Sequence, residues 1–176
     1  MDNYLEMVRR AKRGNTDAFA SLYQEIYEDL YRFAVYILKN PTDAQDMVSE
    51  TVVDAFAAIR RLRAEEAFKG WIFRILSNKC RSKLKEYANK TVEWSEALSE
   101  QIAMADAEDE NRAAEHVQVR MLFWELQPED RMIIAMHLFA GYTSREIAEQ
   151  LHMNENTVRS RESRALKKMK KSLDQG

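Results

Sequence analysis

Only four glycines and two prolines interrupt the 176 residues, far below the roughly 7% and 5% of average usage. A β-sandwich or barrel would need more punctuation, so the chain is restricted to long helices with few turns. The apolar residues agree, recurring at three- and four-residue steps. Hydrophobic residues make up 45% of the chain and charged ones 32%, which suits a folded helical protein rather than a disordered one or a rod. An all-α fold is expected.

No apolar run approaches the ~20 residues that span a bilayer, so no membrane insertion is expected. The charged start MDNYLEMVRRAKRG does not read as a secretory signal. A single cysteine, Cys80, cannot form an intrachain disulfide, and a cytoplasmic protein is the simplest reading. Cys80 is expected as a small buried or half-buried side chain.

The net charge of −2 hides a strong asymmetry. Residues 1–90 carry a net +3, residues 91–117 a net −7 and residues 118–176 a net +2. Such a composition shift marks a linker between two apolar-rich segments. The expected organisation is therefore two small helical domains, 1–87 and 118–176, joined by an acidic linker, 88–117. Trp94, Ile102 and Met104 interrupt the linker's polarity, which favours a segment that docks.

In the first half, Thr16 and Asp17 are placed to cap a helix carrying Phe19, Leu22, Ile26, Leu30, Phe33 and Ile37 on one face. That helix ends before Pro41. Thr42 then caps a second helix, with Asp43 and Asp46 in its first turn and Val48, Val52, Ala55, Phe56 and Ile59 as its apolar face. A third runs from about Phe68 through Leu84, and Gly70 within it costs about 1 kcal/mol relative to Ala, which suggests a close approach by another backbone. With a short leading helix closed by Gly14, these form a helical bundle.

In the second half, a helix over 112–126 precedes Pro128, and another over 131–140 is stopped by Gly141. Thr143-Ser144-Arg145-Glu146 reads as a capping box opening a short helix. A tight turn at His152-Met153-Asn154 leads to a last helix, Glu155 to about Ser172, capped by Asn154. Two helices joined by such a turn form a helix-turn-helix, whose second helix enters the major groove. Its outward stripe reads Asn156, Arg159, Ser160, Ser163, Arg164 and Lys167, all donors or small side chains suited to base edges and phosphates. An ordinary solvated helix with a basic end is the alternative.

These residues resemble a known family. Residues 18–86 are similar to the core-binding and promoter-melting domain of bacterial extracytoplasmic-function sigma factors, and residues 118–172 to their second DNA-binding domain. The resemblance is carried by Ala18 to Tyr23, Leu30 to Ala34, Pro41 to Thr51, Phe68 to Ile75 and Asn156 to Arg161, in that order. It implies a transcription initiation factor, not an enzyme, that binds core RNA polymerase and directs it to a two-part promoter, melting the −10 region. Promoter DNA, core polymerase and an anti-sigma protein are the implied partners.

Carried onto this chain, the −35 element would meet Arg145, Asn156, Thr157, Arg159, Ser160, Arg161, Ser163, Arg164, Lys167 and Lys168. The −10 element would meet Arg60, Arg61, Phe68, Lys69, Trp71, Arg74, Asn78 and Arg81, where aromatic walls beside cations suit an unstacked base. Trp71 at helical spacing also suits a core. Core polymerase would meet Asp43, Asp46, Met47, Glu50, Thr51 and Asp54, since an acidic helix start favours a basic protein partner over phosphates. A solvated face explains those charges equally well.

The chain departs from the family pattern at three positions. His152 stands where the turn usually has Gly, while Glu162 and Leu166 stand where an apolar residue and an Arg are more common. Glu162 falls on the Val158–Ala165–Met169 seam, so its replacement by Leu is expected to stabilise the domain unless Glu162 is already satisfied.

An enzyme is the first rival. His116, His137 and His152 fall on different elements without metal-ligand spacing, and no phosphate loop or cofactor motif is visible. No metal, cofactor or catalytic residue is therefore expected, and His137 is read as a packed histidine. A dimeric helix-turn-helix regulator with an N-terminal sensing domain is the second rival, and it would bind a palindrome without polymerase. A helical adaptor with an incidental basic stripe is the third.

Overall fold

The computed structural model describes residues 2–89 and 110–174. All described elements are helical: α1 (Asp2–Lys12), α2 (Thr16–Leu38), α3 (Pro41–Ala58), α4 (Phe68–Asn89), α5 (Glu110–Trp124), α6 (Pro128–Ala140), α7 (Ser144–Leu151) and α8 (Glu155–Leu173). Two 3-10 turns, Ile59–Arg61 and Glu65–Ala67, connect α3 to α4. The acidic segment expected to link the halves lies mostly outside the described residues, including Trp94, Ile102 and Met104. At its edges, α4 runs on to Asn89 and α5 begins at Glu110, so both ends of the expected 88–117 span are helical.

Three helix starts differ from expectation by one to three residues, for a physical reason. Asn15, not Thr16 or Asp17, caps α2: its Oδ1 accepts from Ala18 N at 2.8 Å. Asn40, not Thr42, caps α3 and accepts from Asp43 N at 3.0 Å. Pro41 occupies the first helical position, where the missing N–H has no intrahelical acceptor to lose. The same logic moves the start of α6 back from Arg131 to Pro128.

α2 is the spine of the molecule. Leu22, Leu30, Phe33, Ala34, Ile37 and Leu38 are fully buried, each large one contributing roughly 1.5–3 kcal/mol by leaving water. α1, α3 and α4 pack on it, and Phe68, Ile72, Phe73 and Leu76 of α4 fill the centre. Cys80 lies in this core, where burial pushes its thiol up. Phe56 departs from the expected apolar face: it is 46% exposed, with its ring edge-on to Phe19 at 5.2 Å.

The two halves do not stand apart. Among the described residues one apolar core runs through both. Tyr36 of α2 meets Phe123 of α5 at 4.9 Å and Phe139 of α6 at 5.6 Å, and Phe33 meets Phe139 at 6.5 Å. Arg131 of α6, 5% exposed, donates through Nη2 to the carbonyl of Ile37 at 3.1 Å and through Nη1 to that of Leu126 at 2.8 Å. Lys39 is the left-handed residue ending α2, at φ 56°, and its ammonium donates to the Trp124 carbonyl. Burial and the neighbouring Arg131 pull that ammonium down to about 8.

Candidate nucleic-acid interface

The helix-turn-helix is built from its caps outward. Glu146 Oε2 accepts from Thr143 N at 2.8 Å and from Thr143 Oγ1 at 2.7 Å, while Glu146 N donates to Thr143 Oγ1 at 3.3 Å. This is the expected capping box, and those donors hold the Glu146 carboxyl below its ordinary range. α7 buries Ile147 and Ala148, and α8 buries Val158 and Ala165 against them and α6. His152 takes the left-handed conformation at φ 56°, closing the turn where glycine would be free of strain. Asn154 then caps α8, accepting from Asn156 N at 2.8 Å.

Burying that seam turns the opposite face of α8 outward. Asn156, Thr157, Arg159, Ser160, Ser163, Arg164, Lys167 and Lys168 are all exposed. Arg159 pairs with Glu155 at 2.5 Å one turn earlier, and Arg164 donates to the Ser160 carbonyl at 3.2 Å. Arg145 on α7 pairs with Glu149 at 3.3 Å, both well exposed. Such surface pairs are weak and yield readily to a phosphate. Arg161 is different. It points sideways and holds Asp130 at 2.6 Å and Glu129 at 3.7 Å, tying α8 to the start of α6.

One contact corrects the His137 expectation and supplies the partner that the Glu162 expectation left open. His137 Nδ1 lies 3.2 Å from Glu162 Oε1, with the imidazole 52% exposed and the carboxylate 19%. His137 is therefore not packed, and the polar residue on the seam already has a partner. Leu166 stands 48% exposed beside this pair.

On the N-terminal half, the residues singled out for the −10 element divide into four groups. Arg60, Arg61, Arg74 and Asn78 are exposed. Lys69 pairs with Asp29 at 3.1 Å with its ammonium over the Phe73 ring at 5.9 Å, and Trp71 is half-buried in a cleft with Arg61, Arg63 and Arg74. Phe68 is fully buried against Tyr4 and Trp71, so it is a core residue rather than a stacking platform. Arg81 is turned toward the other half of the chain and donates to the Gln150 carbonyl at 3.0 Å.

The acidic face of α3 is corrected in a similar way. Asp46 is exposed, and Glu50 and Asp54 are exposed but share Lys79 at 3.2 and 2.8 Å. Those two carboxylates hold Lys79 above the ordinary lysine range. Asp43 pairs with Lys83 at 3.3 Å and accepts from the Tyr87 hydroxyl. Met47 and Thr51 face inward, with Thr51 Oγ1 donating to the Met47 carbonyl at 2.7 Å. They brace the helix rather than line its surface.

Sequence reasoning missed the residues that join the halves. The Tyr142 hydroxyl donates to the Gly70 carbonyl, and a Cβ added at Gly70 would meet Tyr142 Cε1 at 3.3 Å. Gly70 was the one signal: its cost within a helix pointed to a close approach, and the approaching group is a side chain from 72 positions away. Gln150 accepts from Ser77 Oγ at 3.3 Å beside it.

Two family models match: Sigma-70 region 2 over residues 22–89 and Sigma-70 region 4 over residues 116–169. The chain is 30% identical to the RNA polymerase sigma factor SigV of Bacillus subtilis, covering 83% of this chain and 85% of that one. It is 29% identical to the ECF RNA polymerase sigma-E factor of Haemophilus influenzae, over 90% of this chain and 89% of that one. Among solved structures, it is similar in fold to the sigma factor RpoE in complex with the anti-sigma factor NepR from Bartonella quintana. That match has a TM-score of 0.65 at 18% identity, over 89% of this chain and 96% of the other.

Proposed function

The chain belongs to the extracytoplasmic-function sigma factors of bacterial RNA polymerase, and from that premise we propose a division of labour among its surfaces. It is a transcription initiation factor, not an enzyme, that binds core RNA polymerase and recognises promoters. α8 reads the −35 element as duplex. Asn156, Thr157, Ser160 and Ser163 approach base edges, while Arg145, Arg159, Arg164, Lys167 and Lys168 anchor phosphates.

The exposed cations of the α3–α4 connection and α4, Arg60, Arg61, Arg74 and Asn78 with its amide, take the −10 element together with Lys69, Arg81 and the half-buried Trp71, and this half melts it. Asp43, Asp46, Glu50 and Asp54 on α3 form the face offered to a basic surface of core polymerase. An anti-sigma protein is a further expected partner, as one is for the structural relative from Bartonella quintana. No helix of the described residues is long and apolar enough to cross a membrane, and the place of action is the cytoplasm, where the polymerase is.

The observation that carries this reading is the outward stripe of donors on α8, presented by a helix whose opposite seam is locked by Val158 and Ala165. The test is co-elution of the full chain with bacterial core polymerase, followed by run-off transcription from a genomic fragment library. Discrete new start sites sharing two upstream elements are expected. Tight binding to a palindromic duplex with no interaction with polymerase would sink the reading in favour of a dimeric regulator.

A further inference from the structure

The strongest positive patch of the N-terminal half gathers residues from two separate stretches of chain. α1 ends in RRAKRG and the α3–α4 connection carries Arg60, Arg61 and Arg63. The fold brings them together. Lys12 pairs with Glu65 at 2.7 Å, and α1 packs against both 3-10 turns of the connection. Gly14, at φ 95°, leaves room for a guanidinium on its backbone: a Cβ there would stand 2.9 Å from Arg60 Nη2.

The charges at this end do not cancel. Glu6 is spent on Arg9 at 3.5 Å and Glu65 on Lys12. Arg10, Arg13, Arg60, Arg61 and Arg63 are all exposed, and none has an ion-pair partner among the described residues. Against these five stand Asp17 at the start of α2 and Glu66 in the connection. The chain as a whole carries a net −2, so composition does not account for the excess. A helix dipole favours cations in the last turn of α1, but it says nothing of the three arginines that arrive from the connection. Like charges so placed repel one another unless an anion lies between them.

The position of the patch and its chemistry identify that anion. Arg61 and Arg63 also line the cleft that holds Trp71 and Arg74, so the positive surface leads from that cleft to the α1–α2 turn. Guanidinium groups match phosphate oxygens in pairs. Asn15, the amide of this turn, is spent on capping α2, so the surface offers charge without a side chain suited to base edges.

We propose that the end of α1 is a phosphate anchor: Arg10 and Arg13, with Arg60 seated on the Gly14 backbone, hold the DNA backbone where it leaves the −10 element. The proposal rests on the reading of α4 given above and adds to it a contact that carries no sequence information. α1 then fixes the path of the strand, while the cleft at Trp71 takes the base.

The test uses the full chain assembled with core polymerase and a promoter fragment recovered by the run-off experiment. Arg10→Ala/Arg13→Ala is expected to weaken promoter binding by about tenfold or more and to make the log-log salt slope shallower by about 1.8, two phosphates at about 0.9 each. Arg10→Lys/Arg13→Lys restores the slope, because a point charge suffices for a phosphate. The fold-loss is expected to be the same on a second promoter with a different −10 sequence, with thermal unfolding and co-elution with polymerase unchanged.

An unchanged salt slope overturns the anchor. So does a loss confined to one −10 sequence, which would mean base reading, or a loss of co-elution, which would assign the patch to the polymerase. If the wild-type chain itself shows no polymerase-dependent promoter binding, the function reading falls first and the anchor with it.

Discussion

His137 Nδ1 and Glu162 Oε1 meet at 3.2 Å between α6 and α8, on a seam that is otherwise apolar. The pair explains how a carboxylate is tolerated beside Val158 and Ala165, because it is only partly desolvated and has a donor within reach. Glu162→Leu is therefore expected to leave the unfolding free energy unchanged or lower it by no more than about 1 kcal/mol. A gain in unfolding free energy measured by denaturant titration would mean the pair contributes nothing.

Lys39 makes the stability of the packed structure pH-dependent. Burial and Arg131 disfavour its charged form, lowering it from an ordinary 10.5 to about 8, while Glu125 opposes the shift. The penalty is fully present below about pH 8 and is relieved as the pH rises toward the ordinary value, so this lysine's contribution to folding stability becomes less unfavourable in that direction. Unfolding by denaturant at about pH 7 and about pH 9.5 is expected to show a smaller difference between wild type and Lys39→Met at the higher pH. A difference that is the same at both pH values contradicts this account.

Gly70 and Tyr142 are energetically coupled. Alanine at position 70 gains about 1 kcal/mol of helix propensity, but its Cβ would stand 3.3 Å from Tyr142 Cε1. In a double-mutant cycle by denaturant unfolding, Gly70→Ala should stabilise the Tyr142→Ala background by about 1 kcal/mol and the wild-type background by clearly less. Equal effects in both backgrounds would mean the ring yields freely.

Arg161 and Lys167 lie on one helix and are expected to fail in different ways. Lys167→Ala should leave the melting temperature unchanged and reduce the log-log salt slope of −35 duplex binding by about 0.9 if it neutralises one phosphate. Arg161→Ala removes the partner of the part-buried Asp130 and should cost about 1–3 kcal/mol of stability. Its own salt slope should change little.

Phe68 and Trp71 separate similarly. Phe68→Ala opens a cavity in the centre of the bundle and should cost about 3–5 kcal/mol. Trp71→Ala, at a half-buried site in the cleft, should cost less than that and reduce permanganate reactivity of the −10 thymines during initiation. If the two variants lose stability equally while melting is untouched, Trp71 belongs with the core.

The helices, the capping box and the outward stripe of α8 were legible in the sequence because each rests on local chemistry: period 3.6, a Thr–Glu spacing of three, a Gly or Pro at a boundary. The exact caps were less so. Thr16 and Asp17 are as good a pair of candidates as Asn15 until the register of the first turn is known. Met47, Thr51 and Phe68 were read as surface because a motif names positions and not directions, and a helix face is decided by what packs on it. Arg161 looked like its neighbours until Asp130, 31 positions away, was seen beside it.

Least legible was the seam. Lys39, Arg131, Tyr142 and Gln150 have no pattern of their own, since each matters only through a carbonyl in the other half. The acid block between the halves suggested independence, whereas the apolar residues of α2 that meet α5 and α6 simply continued a helix already explained by its own bundle.

The way the helix starts are capped has a consequence for protons. α2, α3 and α8 begin on the amides of Asn15, Asn40 and Asn154, which keep the same hydrogen-bonding character at every pH a cell meets. α7 begins on a carboxylate. Glu146, held below its ordinary range by the Thr143 amide and hydroxyl, contributes stability above that range and loses it as acid reaches the depressed value. Because that carboxyl is held below 4.5, the cap of the first helix of the reading unit is fully formed at neutral pH, and only acid below the ordinary carboxylate range would loosen it, whereas the amide caps of α2 and α3 do not titrate at all.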